Sequence, residues 1–193
     1  MHKSSAYRSH RPIARRLGAA TLALAALVCL GACKASGGGY IDQPLDGGPV
    51  SVFQGTAHFA FNYSCKDKSG DQPRIKGHLT YRDDPSVIDG VEFPAIRLHG
   101  TVDALPPGSG FTSCAEAAAA YEGLPAVLFE GTYRSRGDTV PPGRFTVLVF
   151  DQGEPGHSVG DITGDSFAIE LIGGGYDGYT RAGYLEGGNI QVE

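Results

Sequence analysis

The chain has 193 residues, with 16 Lys and Arg against 21 Asp and Glu, 29 Gly, 12 Pro, four Cys and no Trp. Apolar residues make up 41% of it, enough for an ordinary core in a single domain. Five of the 16 basic residues fall in the first 32 positions, which leaves eleven against all 21 acids in the remainder, a balance near −10. Such an excess argues against nucleic acid as a partner and against polybasic adhesion to anionic lipid.

The first segment carries Lys3, Arg8, Arg11, Arg15 and Arg16 and no acid, and an uncharged run rich in Ala and Leu follows from Leu17 to Leu30. Basic, apolar and small residues in that order form a secretory signal peptide. The apolar run is shorter than the roughly 20 residues a membrane-spanning helix needs, and Gly31 and Ala32 end it. It closes on Leu30-Gly31-Ala32-Cys33, and with a cysteine directly after the small residues it resembles a bacterial lipoprotein signal. The resemblance implies a diacylglycerol on Cys33, cleavage before it and acylation of the new amino group. Two or three acyl chains hold stably, since each buried methylene contributes about 0.8 kcal/mol. Lys34, rather than an aspartate, follows Cys33, which by the same resemblance implies the outer membrane of a Gram-negative envelope. Cleavage without lipidation and an uncut anchor are the competing readings.

Residues 33–49, the lipidated cysteine followed by KASGGGYIDQPLDGGP, are rich in Gly and Pro and have no apolar period, so they read as a flexible tether. A β domain is expected over 50–193. Ala57 to Cys65 alternates apolar and polar residues, as a half-buried strand does. Gly77 to Arg82, Val91 to Val102 (kinked at Pro94 and Gly100), Ala126 to Arg134, Arg144 to Phe150, Ser166 to Ile172 and Ala182 to Val192 supply further strands, separated by Pro, Gly and Asp. One short helix interrupts them. Ser113 with Glu116 fits a capping box, Ala115 to Tyr121 are mostly helix formers, and Gly123 with Pro125 stops the run. Short antiparallel strands in this number point to an all-β sandwich or barrel.

Cys29 leaves with the signal and Cys33 takes lipid, so Cys65 and Cys114 remain and pair most simply with each other in an oxidising envelope. The densest polar motif is Asp151-Gln152-Gly153-Glu154-Pro155-Gly156, followed by Asp161 and Asp165. Such acids can collect calcium oxygens, or they can be a tight turn in which Asp151 accepts backbone amides. Tyr176, Tyr179 and Tyr184 in a glycine-dense stretch could stack on sugar rings or cover a core edge. His58, His78, His99 and His157 are scattered singly without zinc spacing, and no Gly-x-Ser-x-Gly elbow occurs.

From Lys76 to Val192 the chain is similar to uncharacterised bacterial secreted β-domains. The residues that carry this likeness are Lys76-Gly77-His78-Leu79-Thr80-Tyr81, Phe129-Glu130-Gly131-Thr132, Phe145 to Phe150 running into Asp151-x-Gly153-Glu154-Pro155-Gly156, Asp165-x-Phe167 and Gly187-Gly188-Asn189-Ile190-Gln191. Gln152 stands where an asparagine is frequent, and the Cys65 and Cys114 pair is an addition. The likeness implies a β-sandwich-like fold and no activity. The expectation is a lipid-anchored envelope protein that is no enzyme and docks an envelope protein, or else a surface module for carbohydrate or calcium.

Overall fold

A computed structural model of the protein describes residues 33–42, 55–68, 71–88, 91–93, 95–105, 109–119, 125–136, 140–153, 158–159 and 162–193. In chain order the strands are β1 (Cys33–Ile41), β2 (Ala57–Lys68), β3 (Asp71–Asp83), β4 (Ser86–Ile88), β5 (Val91–Phe93), β6 (Ile96–Ala104), β7 (Ala126–Ser135), β8 (Gly143–Phe150), β9 (Ser158–Val159), β10 (Ile162–Thr163), β11 (Ser166–Ile172), β12 (Thr180–Tyr184) and β13 (Gly187–Val192). The helix α1 is Cys114–Ala119, and a single 3-10 turn covers Gly174–Tyr176. Nine strands form one antiparallel sheet in the order β12-β11-β8-β7-β6-β3-β2-β1-β13, curled into a half-barrel. The pairs β4–β5 and β9–β10 are small hairpins outside it.

The two edges of this sheet, β12 and β13, are consecutive segments of one chain run, parted by Leu185 and Glu186. Leu185 still donates its N–H to Asp165 O on the β11 side, at 2.9 Å, while Glu186 donates to Tyr40 O on β1, at 3.1 Å. Two residues therefore hand the last strand from one side of the sheet to the other. Gly188, at φ 108°, makes that crossing possible, since a Cβ there would run into the Gly38 carbonyl. Side chains then span the seam. Asp165 Oδ2 accepts the Ile190 N–H at 2.7 Å and Asp151 Oδ2 accepts the Val192 N–H at 3.0 Å, so carboxylates satisfy amides of β13 on its otherwise open edge.

Alternation along each strand sends Phe59, Phe61, Tyr63, Leu79, Tyr81, Leu98, Val102, Phe129, Tyr133, Phe145, Val147, Phe167 and Leu171 into one buried cluster. The rings pack in a continuous stack: Phe59 on Phe167 (centroids 3.9 Å), Tyr63 on Phe129 (5.4 Å) and Phe61 on Phe129 (5.5 Å). The interior is thus filled with aromatic side chains.

Cys65 and Cys114 are bridged, with Cα atoms 5.7 Å apart, and the bridge joins α1 to β2. Ser113 Oγ accepts the Glu116 N–H at 3.1 Å as a cap should. The Glu116 carboxylate reaches one residue further back than a capping box requires, to the Thr112 N–H at 2.7 Å.

The all-β, barrel-like expectation holds, and two elements differ from it. Residues 33–41 are not tether: they form β1, central between β2 and β13, with Cys33 paired to Cys65 and Ala35 to both Tyr63 and Val192. Gly37, Gly38 and Gly39 have weak strand propensity alone, yet Gly37 faces Phe61, whose ring fills the place of its missing side chain. Of the rest of the expected tether, only Asp42 lies among the described residues. The expected strand Ala182 to Val192 is divided at Leu185, where pairing changes sides, and Val91 to Val102 is divided into β5 and β6 around Pro94.

Candidate functional site

Outward-facing positions of β2, β3, β6 and β7 bring the cations of this acidic chain together. Register places His58 opposite Arg82 and Arg82 opposite Arg97, and Arg136 donates its amide to Arg97 O at 2.9 Å. The next row runs Ala60, Thr80, His99, Arg134, and the one after it Asn62, His78, Thr101, Thr132. Arg82, Arg97, Arg134 and Arg136 are all exposed. A shallow groove of about 270 Å³ is lined by His58, Arg82, Arg97, His99 and Arg136. A second depression, about 460 Å³, adjoins it over His78, Thr101, Thr132 and Arg134. Arg82 is held by Asp84 at 2.6 Å, and Arg144, further along, pairs with buried Glu130 and reaches Asp103 at 3.7 Å. Arg82 and Arg97 stand directly opposite each other, a like-charge pairing that costs stability in a sheet and is offset in part by Asp84 on Arg82. Tyr40 lies at the rim, its ring 5.8 Å from His58.

A second polar cluster is internal. Tyr179 Oη donates to Asp83 Oδ2 at 2.5 Å, and the Tyr81 hydroxyl lies 2.5 Å from that of Tyr179. Arg181, 1% exposed, donates to the carbonyls of Asp42 and Gly55, tying β12 to the ends of the β1–β2 connection. This cluster closes the end of the half-barrel away from Cys33. Burial raises the Asp83 carboxyl above the ordinary range, with the Tyr179 hydrogen bond and the Arg181 charge pulling it part of the way back. Burial likewise pushes the Tyr179 and Tyr81 phenols up.

A carboxyl raised in the folded state supplies stability below the ordinary carboxylate range and loses it as pH rises through the raised folded value. Asp83→Asn keeps an acceptor for Tyr179 and removes that titration. Between pH 4 and pH 7 the wild type should therefore lose stability relative to Asp83→Asn in urea denaturation. A wild-type-minus-variant difference that stays constant with pH contradicts this.

The acids and tyrosines singled out in the sequence do not assemble into one site. Asp165, wholly buried, accepts the Gln152 and Gly153 amides on Oδ1 and the Ile190 amide on Oδ2; burial raises its carboxyl, with these amides opposing. Asp151 holds Val192, so both acids act as turn and seam fasteners. Glu154, Asp161 and His157 lie outside the described residues. Tyr179 is buried, so it shares no exposed face with the others. Tyr176 is half-buried, with its hydroxyl 3.1 Å from Ser135 Oγ and its ring stacked on Tyr133. Tyr184 is half-buried opposite Ser166.

Among the described residues no group of three His, Cys, Asp or Glu is placed to hold a metal, and no helix is long and apolar enough to cross a membrane. Cys33 is a free, half-buried thiol at the start of β1, its pKa pushed up by burial. No family model, no curated protein and no solved structure matches the chain. The only signal of the basic face in the sequence is Arg134 and Arg136 two positions apart; Arg82 and Arg97 stand on other strands, and only register joins the four.

Proposed function

We propose that this is a lipid-anchored protein of the Gram-negative envelope that binds its partner without transforming it, and that the partner is anionic. The observation that carries this reading is the gathering of Arg82, Arg97, Arg134 and Arg136, with His58 and His99, on one face of a chain that is acidic overall. Complementary charge steers such an encounter and fixes its register. The buried acids Asp83, Asp165 and Glu130 are engaged in the fold, which favours binding over acid–base chemistry. The outward side chains of the face are Thr, Asn, His, Lys and Arg, with Tyr40 at the edge. Protein interfaces draw most of their energy from buried aromatic anchors. A hydrated, carboxylate- or phosphate-bearing envelope polysaccharide therefore suits this face better than a protein does.

The test is capture from mildly cross-linked envelopes by the lipidated protein, against a variant with Arg97→Glu, Arg134→Glu and Arg136→Glu. We expect wild type to retain acidic polysaccharide and the variant to lose at least tenfold of it. Equal recovery by both proteins rejects the face, and a stoichiometric protein partner lost in the variant would return the role to protein docking. The anchor has its own test. Cys33→Ser should move the protein from the membrane fraction to the soluble envelope fraction, and unchanged membrane retention rejects lipidation.

A further inference from the structure

We infer that the lipidated domain stands end-on against an anionic phospholipid surface, with no tether between anchor and sheet; this rests on the lipid-anchor reading of Cys33. Cys33, before which cleavage is expected, is itself a residue of β1. Lys34, the next residue, is locked on both sides. It exchanges backbone hydrogen bonds with Glu193, at 3.0 and 2.8 Å, and is paired with Ser64 on β2. Cys33 itself is opposite Cys65, whose bridge to Cys114 fastens the same end of the half-barrel. Sixteen free residues would let a domain wander roughly 20 Å from its anchor. Here the acyl chains leave from a residue that is already part of the sheet.

Charge at that end agrees. The row Cys33, Cys65, Ile75 is flanked on one side by Lys66 opposite Arg74 and on the other by Lys34, Ser64 and Lys76. With strands about 4.8 Å apart and residues about 3.3 Å apart along each, exposed Lys34 and Lys66 lie within about 6 Å of Cys33 along the backbone, and exposed Arg74 and Lys76, two strands away, at about 10 Å, near the screening length of physiological salt. The acids nearby keep their charge but are turned to bonds within the fold: Asp67 accepts the Cys114 amide at 2.8 Å, Glu116 caps α1 and Asp151 holds Val192, while Asp71 is opposite Lys68 and Glu193 sits beside Lys34. Basic residues next to a lipid anchor add attraction to anionic headgroups. The consequence is directional. The Arg97 and Arg136 end of the sheet is held away from the bilayer, where a polymer can reach it.

Neutron reflectometry of the acylated protein on a supported bilayer of phosphatidylglycerol and phosphatidylethanolamine tests this. We expect protein density to begin at the headgroups, and a variant with sixteen Gly and Ser residues inserted between Cys33 and Lys34 to open a hydrated gap of roughly 20 Å. Lys66→Glu with Arg74→Glu and Lys76→Glu, folded by circular dichroism, should also lift the layer. A gap under the acylated wild type overturns the orientation alone. An unchanged profile for the charge-reversed variant overturns the headgroup contact. An intact mass lacking the acyl chains overturns the anchor and the orientation together.

Discussion

Replacing both bridge cysteines, Cys65→Ala with Cys114→Ala, is expected to lower Tm by about 8 to 16 °C without producing dimers. The bridge closes a loop of 49 residues, which on the chain-entropy account stabilises by about 4 kcal/mol. At this chain length each kcal/mol moves Tm by roughly 2 to 4 °C. The loss is not only entropic in character here. Helix α1 has six residues, too few to persist alone in water, and the bridge together with the hydrogen bond from the Cys114 N–H to Asp67 is what attaches it to β2. Amide exchange should therefore speed first in Cys114–Ala119, ahead of the aromatic core. Both sulfurs are buried, so an intermolecular bridge has no access in the wild type, and the double variant leaves no stray thiol to form one. Scanning calorimetry under non-reducing conditions reads the effect. An unchanged Tm would mean that the two thiols are not bridged in the mature protein.

Strands that bury one face were legible because alternation is a local signal. Ala57 to Cys65, Arg144 to Phe150 and Ser166 to Ile172 could be read from period two alone, and they lie where expected. β1 was not legible, because Gly37-Gly38-Gly39 is the composition of a linker and becomes a strand only when Phe61 covers Gly37 from the neighbouring strand. Local propensity was overruled by packing. The basic face was hidden for a related reason. β3 spaces Arg74, Lys76 and Arg82 among other residues and β6 carries Arg97 alone, and nothing in the order of residues says that Arg82 will stand opposite Arg97. Tyr179, in a glycine-dense stretch, could be read as a sugar platform or as cover for a core edge until Asp83, 96 positions earlier, is seen to accept its hydrogen bond. Net charge was a poor guide for the same reason: a balance near −10 over residues 33–193 conceals a face of the opposite sign.

Glycine under aromatic rings also sets the second large effect, a loss of about 3 kcal/mol on Gly131→Ala, at the upper end of what overpacking a core usually costs. Gly131 on β7 is buried and paired with Phe145 on β8. A Cβ there would lie 2.6 Å from Phe145 Cζ and would run into the Thr101 carbonyl on β6. Gly100, on that same neighbouring strand, meets the same edge of the ring, with its own Cβ position 2.5 Å from Phe145 Cε1. One ring thus occupies the space of two absent side chains on adjacent strands, which lets β6, β7 and β8 curve tightly around it. The methyl of alanine can be accommodated by moving the ring, but the carbonyl belongs to the ladder and moves only if β6 and β7 part. Gly131→Ala and Phe145→Leu should therefore be coupled. Removing the ring relieves the first contact and leaves the second, so the double variant should be less destabilised than the sum of the singles by about 1 kcal/mol, while still falling short of Phe145→Leu alone. Urea denaturation of the four proteins measures the cycle. Strict additivity would mean that the ring does not press on Gly131, and that curvature at β7 comes from the backbone contact with Thr101 alone.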